Sequence, residues 1–249
     1  TFDLKGYGEP DSVSVSPIFV SSSGKEKVGD VTSDVVVGKG GLGDVVVTYD
    51  LDEDYTFDIG EGLVGYWRFE GNAKDSSGNG NDGVINGGAN WVDGKVGKAL
   101  SFDGGDDYVD AGSDSSLDIT DEITIGMWVM TNSKADPLSK GWNIMRVILF
   151  ESGTKNVKFV YRIGVNDTST FSNNNVIEIG SWHHIAWTYN GSLTQVYVDG
   201  DPNGFFKEAS GSLLTSSNPL YIGRYGTTND IRYFNGSIDE VMIYDRALS

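Results

Sequence analysis

The chain has 249 residues, enough for one large domain and something smaller, with 18 Lys and Arg against 36 Asp and Glu and no cysteine. A formal net charge of −18 disfavours nucleic acid and other polyanions as partners, and the missing cysteines exclude disulfides and thiolate chemistry. No apolar run reaches the roughly 18 residues a spanning helix needs, so no membrane span lies in this sequence.

In chain order, residues 12–20 alternate up to Pro17 and read as an edge strand or strand end. Asp34-Val-Val-Val37 and Asp44-Val-Val-Val47 form a near-repeat joined by Gly38-Lys-Gly-Gly-Leu-Gly43, which predicts a glycine-linked hairpin. Its valines are consecutive, so both faces want cover. That cover is either the neighbouring domain or a second subunit entered by strand addition, so residues 1–61 are a candidate self-association element. The acidic stretch Tyr49-Asp-Leu-Asp-Glu-Asp-Tyr55 then leads to Gly60-Glu-Gly62, a plausible boundary between a β-rich N-terminal region, 1–61, and a main domain, 62–249.

Beyond the boundary the signal is almost wholly β. Short Val-, Ile-, Tyr- and Trp-rich runs at 63–70, 99–102, 108–110, 123–131, 146–151, 158–163, 182–189, 194–198, 220–222 and 237–244 are separated by Gly, Asn, Asp and Ser clusters. Many short strands at turn-rich spacing predict an all-β, two-sheet antiparallel sandwich. In Ile123-Thr-Ile-Gly-Met-Trp-Val129 the residues Ile123, Ile125, Met127 and Val129 share one face and Thr124, Gly126 and Trp128 the other, the pattern of a half-buried strand. Trp67, Trp128, Trp182 and Trp187 sit inside such patterns and are assigned to packing; Trp142 sits in a loop.

Catalytic constellations are absent from the sequence. Adjacent His183 and His184 in a strand point apart and cannot share a metal; no Gly-x-Ser-x-Gly elbow occurs; and Asp239 and Glu240, as strand neighbours, fall on opposite faces, which denies paired-carboxylate hydrolysis its geometry. The chain reads as a non-enzyme. In Asp75-Ser-Ser-Gly-Asn-Gly-Asn-Asp-Gly83 oxygen-bearing side chains recur at Asp75, Ser77, Asn79 and Asn81, a spacing that suits a hard cation such as calcium, or else a turn that only needs positive φ. Asp103, Asp106 and Asp107 crowd one glycine turn. Sequons at Asn166, Asn190 and Asn235 fit a secreted or cell-surface glycoprotein.

Several segments taken together resemble the laminin G-like jelly roll of the concanavalin A-like lectin and glucanase superfamily. They are Leu63-Val-Gly-Tyr-Trp-Arg-Phe-Glu70, the Asp75 to Gly83 loop, Gly97-Lys-Ala-Leu-Ser-Phe-Asp-Gly104, Gly180-Ser-Trp-His-His-Ile-Ala-Trp187, Tyr221-Ile-Gly-Arg224, and Phe234-Asn-Gly-Ser-Ile-Asp-Glu-Val-Met-Ile-Tyr244 with its Asp-Arg-Ala-Leu-Ser tail. The resemblance covers residues 62–249 and implies that first and last strands lie side by side, with a structural calcium between the first-strand loop and Asp239. It also implies a role in adhesion or in recognition of a glycan or surface protein. Rim groups for a sugar would be Asp107, Trp142, Tyr225, Asn229 and Tyr233, since planar aromatics and amide or carboxylate acceptors make carbohydrate sites. The alternative is a structural subunit of an extracellular filament or surface layer, polymerising through the N-terminal strands.

Overall fold

Alternating apolar positions give strands and glycine-rich joints give their turns throughout the computed structural model. It describes residues 34–40, 43–48 and 61–248, the last range without 142–143, 151–153, 165 and 228–229. The strand expected at 12–20, the acidic stretch 49–55, Trp142 and Asn229 lie outside the described residues, as do the side chains of 34–48 and that of Asn166. By contacts the chain divides into two units, Thr1–Asp58 and Ile59–Ser249. In the first, β1 (Asp34–Gly40) and β2 (Gly43–Thr48) pair antiparallel with Val35 opposite Val47 and Val36 opposite Val46. This is the hairpin the valine near-repeat predicts.

The second unit is a two-sheet sandwich. Its strands are β3 (Leu63–Trp67), β4 (Val84–Asn86), β5 (Asn90–Asp93), β6 (Lys98–Asp103), β7 (Tyr108–Asp110), β8 (Ile123–Thr131), β9 (Ala135–Lys140), β10 (Met145–Leu149) and β11 (Val157–Ile163). They continue as β12 (Asn166–Phe171), β13 (Trp182–Tyr189), β14 (Leu193–Val198), β15 (Asp201–Glu208), β16 (Leu220–Ile222), β17 (Arg224–Thr227), β18 (Asp230–Tyr233) and β19 (Asn235–Tyr244). One sheet runs β12-β11-β10-β9-β16-β7-β4 and the other β15-β14-β13-β8-β19-β6-β5, with β3 added to β19; β17 and β18 form a separate hairpin.

The core lies between the sheets. Ile123, Ile125, Met127 and Val129 of β8 are buried on one face, as the alternation predicts, and Trp187 of β13 reaches across to stack on Phe159 of β11 at 5.6 Å and to meet Tyr161 at 4.9 Å. Trp67 is fully buried, whereas Trp128 is half-buried on the outer face, where its ring meets His184 at 5.2 Å and the Lys95 ammonium at 4.6 Å. The central strand β19 carries two successive edge partners. Asn235–Ile238 pair with β6, Val241–Tyr244 pair with β3, and β8 flanks both halves on the other side. First and last strands are therefore neighbours.

Candidate functional site

The outer face of the seven-stranded sheet gathers half-buried tyrosines. Val109 in β7 and Leu220 and Ile222 in β16 are fully buried in the core, so the alternation of those strands turns Tyr108 and Tyr221 outwards. Their rings meet edge to face at 5.6 Å, and Tyr233 of β18 lies 6.3 Å from Tyr108. Between them sits Arg224, its guanidinium carbon 4.8 Å from the Tyr108 centroid and 4.5 Å from that of Tyr221. Burial above all raises the Tyr221 phenol, which keeps it a neutral hydroxyl. The hairpin that carries Arg224 and Tyr233 is fastened to β9 by the Ser139 hydroxyl, which donates to the Arg224 carbonyl at 2.7 Å.

Next to this platform is a cleft of about 520 Å³ lined by Gly104, Lys134, Ala135, Asp136, Ile231, Arg232 and Tyr233. Asp136, 1% exposed, accepts from Arg146 Nε at 2.7 Å; burial pushes its carboxyl up while Arg146 pulls it down. Arg146 in turn lies 3.4 Å over the ring of Tyr225.

Of the rim residues expected from sequence, Tyr233 belongs to the platform and lines the cleft. Tyr225 departs from the expectation: it is 2% exposed, because the hairpin folds it inwards under the Arg146 guanidinium, and it offers no free ring. Asp107 is equally buried, and its carboxylate accepts the backbone N–H groups of Gly88 and Asp103. The ligand oxygens of Asp103, Asp106 and Asp107 do lie within 4.8 Å of one another. Tyr108, Tyr221 and Arg224 were not singled out from sequence as ligand-binding residues. The one available signal was their place between core residues in two short strands.

The Asp75 to Gly83 loop is knit to β3 by hydrogen bonds. Asp75 accepts from the N–H groups of Tyr66 at 2.9 Å, Ser77 at 2.8 Å and Asn81 at 2.9 Å and from the Ser77 hydroxyl at 2.8 Å. Asn79 Nδ2 donates to the Leu63 carbonyl and Asn81 Nδ2 to that of Val64, while Trp67 Nε1 donates to the Asn81 carbonyl. Three backbone donors converge on one carboxylate, so Asp75→Ala is expected to cost about 2–4 kcal/mol in a urea titration, with or without calcium; a loss under 1 kcal/mol would deny the carboxylate this role.

Asp239 has other hydrogen-bond partners than Asp75. Between its pair with Trp128 and the Met242–Gly126 pair, β19 carries one residue more than β8, a bulge in which Glu240 has φ +50°. The extra residue changes the strand's phase, and the carboxylates expected on opposite faces come together instead: Asp239 is fully buried and Glu240 3% exposed, and the Glu240 charge acts on Asp239. Asp239 Oδ2 accepts the Val96 N–H at 2.9 Å, and Glu240 Oε2 accepts the Tyr66 hydroxyl. Asp239 Oδ1 and Glu240 Oε1 are buried without a hydrogen-bond partner, although the Arg68 guanidinium approaches Glu240 Oε1 to 4.0 Å. Burial is the main cause that lifts both carboxyls, Asp239 to about 7.

The sequons differ in access. Asn190 is exposed in a turn, whereas Asn235 is half-buried at the start of β19, its Nδ2 donating to the Asp103 carbonyl at 3.1 Å. The backbone of Asn166 opens β12.

A family model described as the concanavalin A-like lectin/glucanases superfamily, of the laminin G type, matches residues 103–249. A comparison with curated sequences returns no match. Among solved structures, domain 4 of an extracellular arabinanase from Geobacillus stearothermophilus, in complex with arabinotriose, shares 21% identity at a TM-score of 0.60, over 75% of this chain and 94% of that one. The binding domain of a paraclostridial mosquitocidal protein matches at 18% identity and TM-score 0.63, over 76% of this chain and 50% of that one. A structure of botulinum neurotoxin type C, whose cell entry depends on two ganglioside molecules, matches at 12% identity and TM-score 0.58, over 77% and 49%. The chain spans about half the length of these two toxin structures. At such identities the likeness is one of fold.

Proposed function

The chain belongs to the laminin G-like family of the concanavalin A-like superfamily, and from that premise we propose that it is an extracellular, non-catalytic recognition module that binds a carbohydrate on the outer face of the seven-stranded sheet. The carrying observation is the half-buried cluster of Tyr108, Tyr221 and Tyr233 around Arg224, which offers ring faces for a sugar's C–H surface and hydroxyls and a guanidinium for its polar edge. Its fold neighbours include a domain bound to arabinotriose. No helix among the described residues is long and apolar enough to cross a membrane. Catalysis is not part of the reading: Asp136 beside the platform is engaged by Arg146, and the Asp239–Glu240 pair is buried.

On a glycan array the full-length protein is expected to retain a defined set of glycans, and Tyr221→Ala or Tyr108→Ala to weaken retention roughly tenfold or more while the circular dichroism spectrum is kept. Retention of no glycan, or full retention by both folded variants, would sink the proposal.

A structural calcium is the second part. In the expected shell Asp75 already accepts four hydrogen bonds, whereas Asn79 and Asn81 donate through Nδ2, which leaves the Asn79 amide oxygen to a cation. The donor set at the β19 bulge suits it better: Asp239 Oδ1 and Glu240 Oε1 are buried acceptors without donors, and the Glu70 charge acts on Glu240. A bound cation would add to the positive charge near these carboxylates, that of Arg68 at 4.0 Å from Glu240 Oε1.

A second reading, self-association through residues 1–61, rests on the β1–β2 ribbon, whose consecutive valines leave apolar positions on both faces. Light scattering of the full chain over a concentration series decides it. A constant monomer mass removes the reading.

A further inference from the structure

Arg224 is a guanidinium without a counter-ion. It is half-buried, held between the rings of Tyr108 and Tyr221, its Nε–H is buried with no acceptor, and no carboxylate among the described residues pairs with it. In a chain where acids outnumber bases two to one, 36 against 18, a base near the surface would ordinarily find an acid. The neighbourhood is basic as well: Arg146, 7% exposed, spends its Nε on Asp136 and keeps a buried Nη2 without an acceptor, and Lys134 and Arg232, whose charges act on Asp136, line the adjoining cleft. Asp110, whose charge acts on Tyr221, has its Oδ1 on the Gly112 N–H at 2.9 Å, and Asp107 is held by two backbone N–H groups.

A neutral sugar would use the tyrosine rings and leave this charge unmatched. We infer that the carbohydrate recognised on this face carries a carboxylate, as a uronic acid does, with its ring on the tyrosines and its carboxylate on Arg224. A planar carboxylate matches the fork of a guanidinium, and such charge-assisted pairs are about twice as strong as neutral ones. The overall charge of −18 does not forbid this, because ionic strength near 0.15 M screens exposed charges beyond about 8 Å. It does argue against a polyanion held by charge alone and for one acid group read at close range. The inference rests on the carbohydrate reading above and adds the ligand's charge.

The test is calorimetric titration of the full chain with an oligogalacturonate and with the same oligosaccharide after reduction of its carboxyls. The expected result is about tenfold tighter binding of the acidic form, a preference that Arg224→Gln abolishes and Arg224→Lys, which keeps the charge but not the fork, leaves only in part. Equal affinity for both forms overturns the inference while leaving the carbohydrate reading intact; binding of neither overturns the inference, and the glycan array then decides the carbohydrate reading. Should Arg224→Gln fail to fold, the Lys variant decides: an undiminished acid preference there refutes the role of the fork.

Discussion

Calcium is expected to raise the melting temperature of this protein by on the order of 10 °C at pH 8 and by far less at pH 5. Asp239 is fully buried beside Glu240, and burial with that neighbouring charge lifts its carboxyl to about 7 from an ordinary 3.8. Between those values the folded chain holds a proton that the unfolded chain releases, so the metal-free protein loses stability as pH rises from about 4 to 7. The full loss is about 4 kcal/mol, at 1.36 kcal/mol per pH unit over that interval. A divalent cation seated on Asp239 Oδ1 and Glu240 Oε1 replaces the proton and returns that stability, while at pH 5 protons compete with it. At roughly 2–4 °C per kcal/mol for a domain of this size, the shift is of the stated order. Magnesium, which insists on tight octahedral geometry, is expected to do less. Asp239→Asn removes the charge, so without metal at pH 8 it should melt above the wild-type protein and ignore calcium. Superimposable melting curves in calcium and chelator at pH 8 would dispose of a cation at the bulge.

What was legible from sequence was whatever a local pattern encodes. The β8 alternation named its core face residue by residue, and the valine near-repeat named the β1–β2 pair, because side-chain period and turn chemistry are properties of neighbours in the chain. The bulge in β19 was not legible. Ser237-Ile-Asp-Glu-Val-Met-Ile-Tyr244 reads as one continuous strand, and the extra residue exists only relative to β8, which keeps a strict period of two opposite it. One missed residue reversed the conclusion about Asp239 and Glu240 from opposed to adjacent. The tyrosine platform failed for a related reason: Tyr108 and Tyr221 lie more than a hundred positions apart and meet because β16 inserts between β9 and β7. The Asp75 loop shows an ambiguity of chemistry rather than distance. Oxygens at alternate positions serve a cation or backbone N–H groups equally well on paper, and only the direction of the N–H groups separates the two.

Gly236→Ala is expected to lower stability by about 3–5 kcal/mol and the melting temperature by roughly 10 °C or more, whereas Gly126→Ala should change either very little. The two glycines sit on the same pair of central strands and neither carries a side chain into the core, so propensity alone would treat them alike. Gly236 has φ +145°, open to glycine and strained for an L side chain, and a Cβ there would lie 2.1 Å from the Met130 carbonyl oxygen and 2.9 Å from Thr131 Cα. Those atoms are backbone of β8, which β19 must grip where Gly236 pairs with Thr131 on one side and with Phe102 on the other. Relief would require the two strands to part at the middle of the sheet, a large fraction of the 5–15 kcal/mol that holds a typical domain together. A Cβ on Gly126 would meet nothing closer than the His184 ring at 3.6 Å, an ordinary contact, and its φ is unexceptional. Denaturant titration of both variants checks the contrast. Equal stabilities would mean that β8 and β19 are not held this closely, and with that the register that creates the bulge, and the adjacency of Asp239 and Glu240, would lose its foundation.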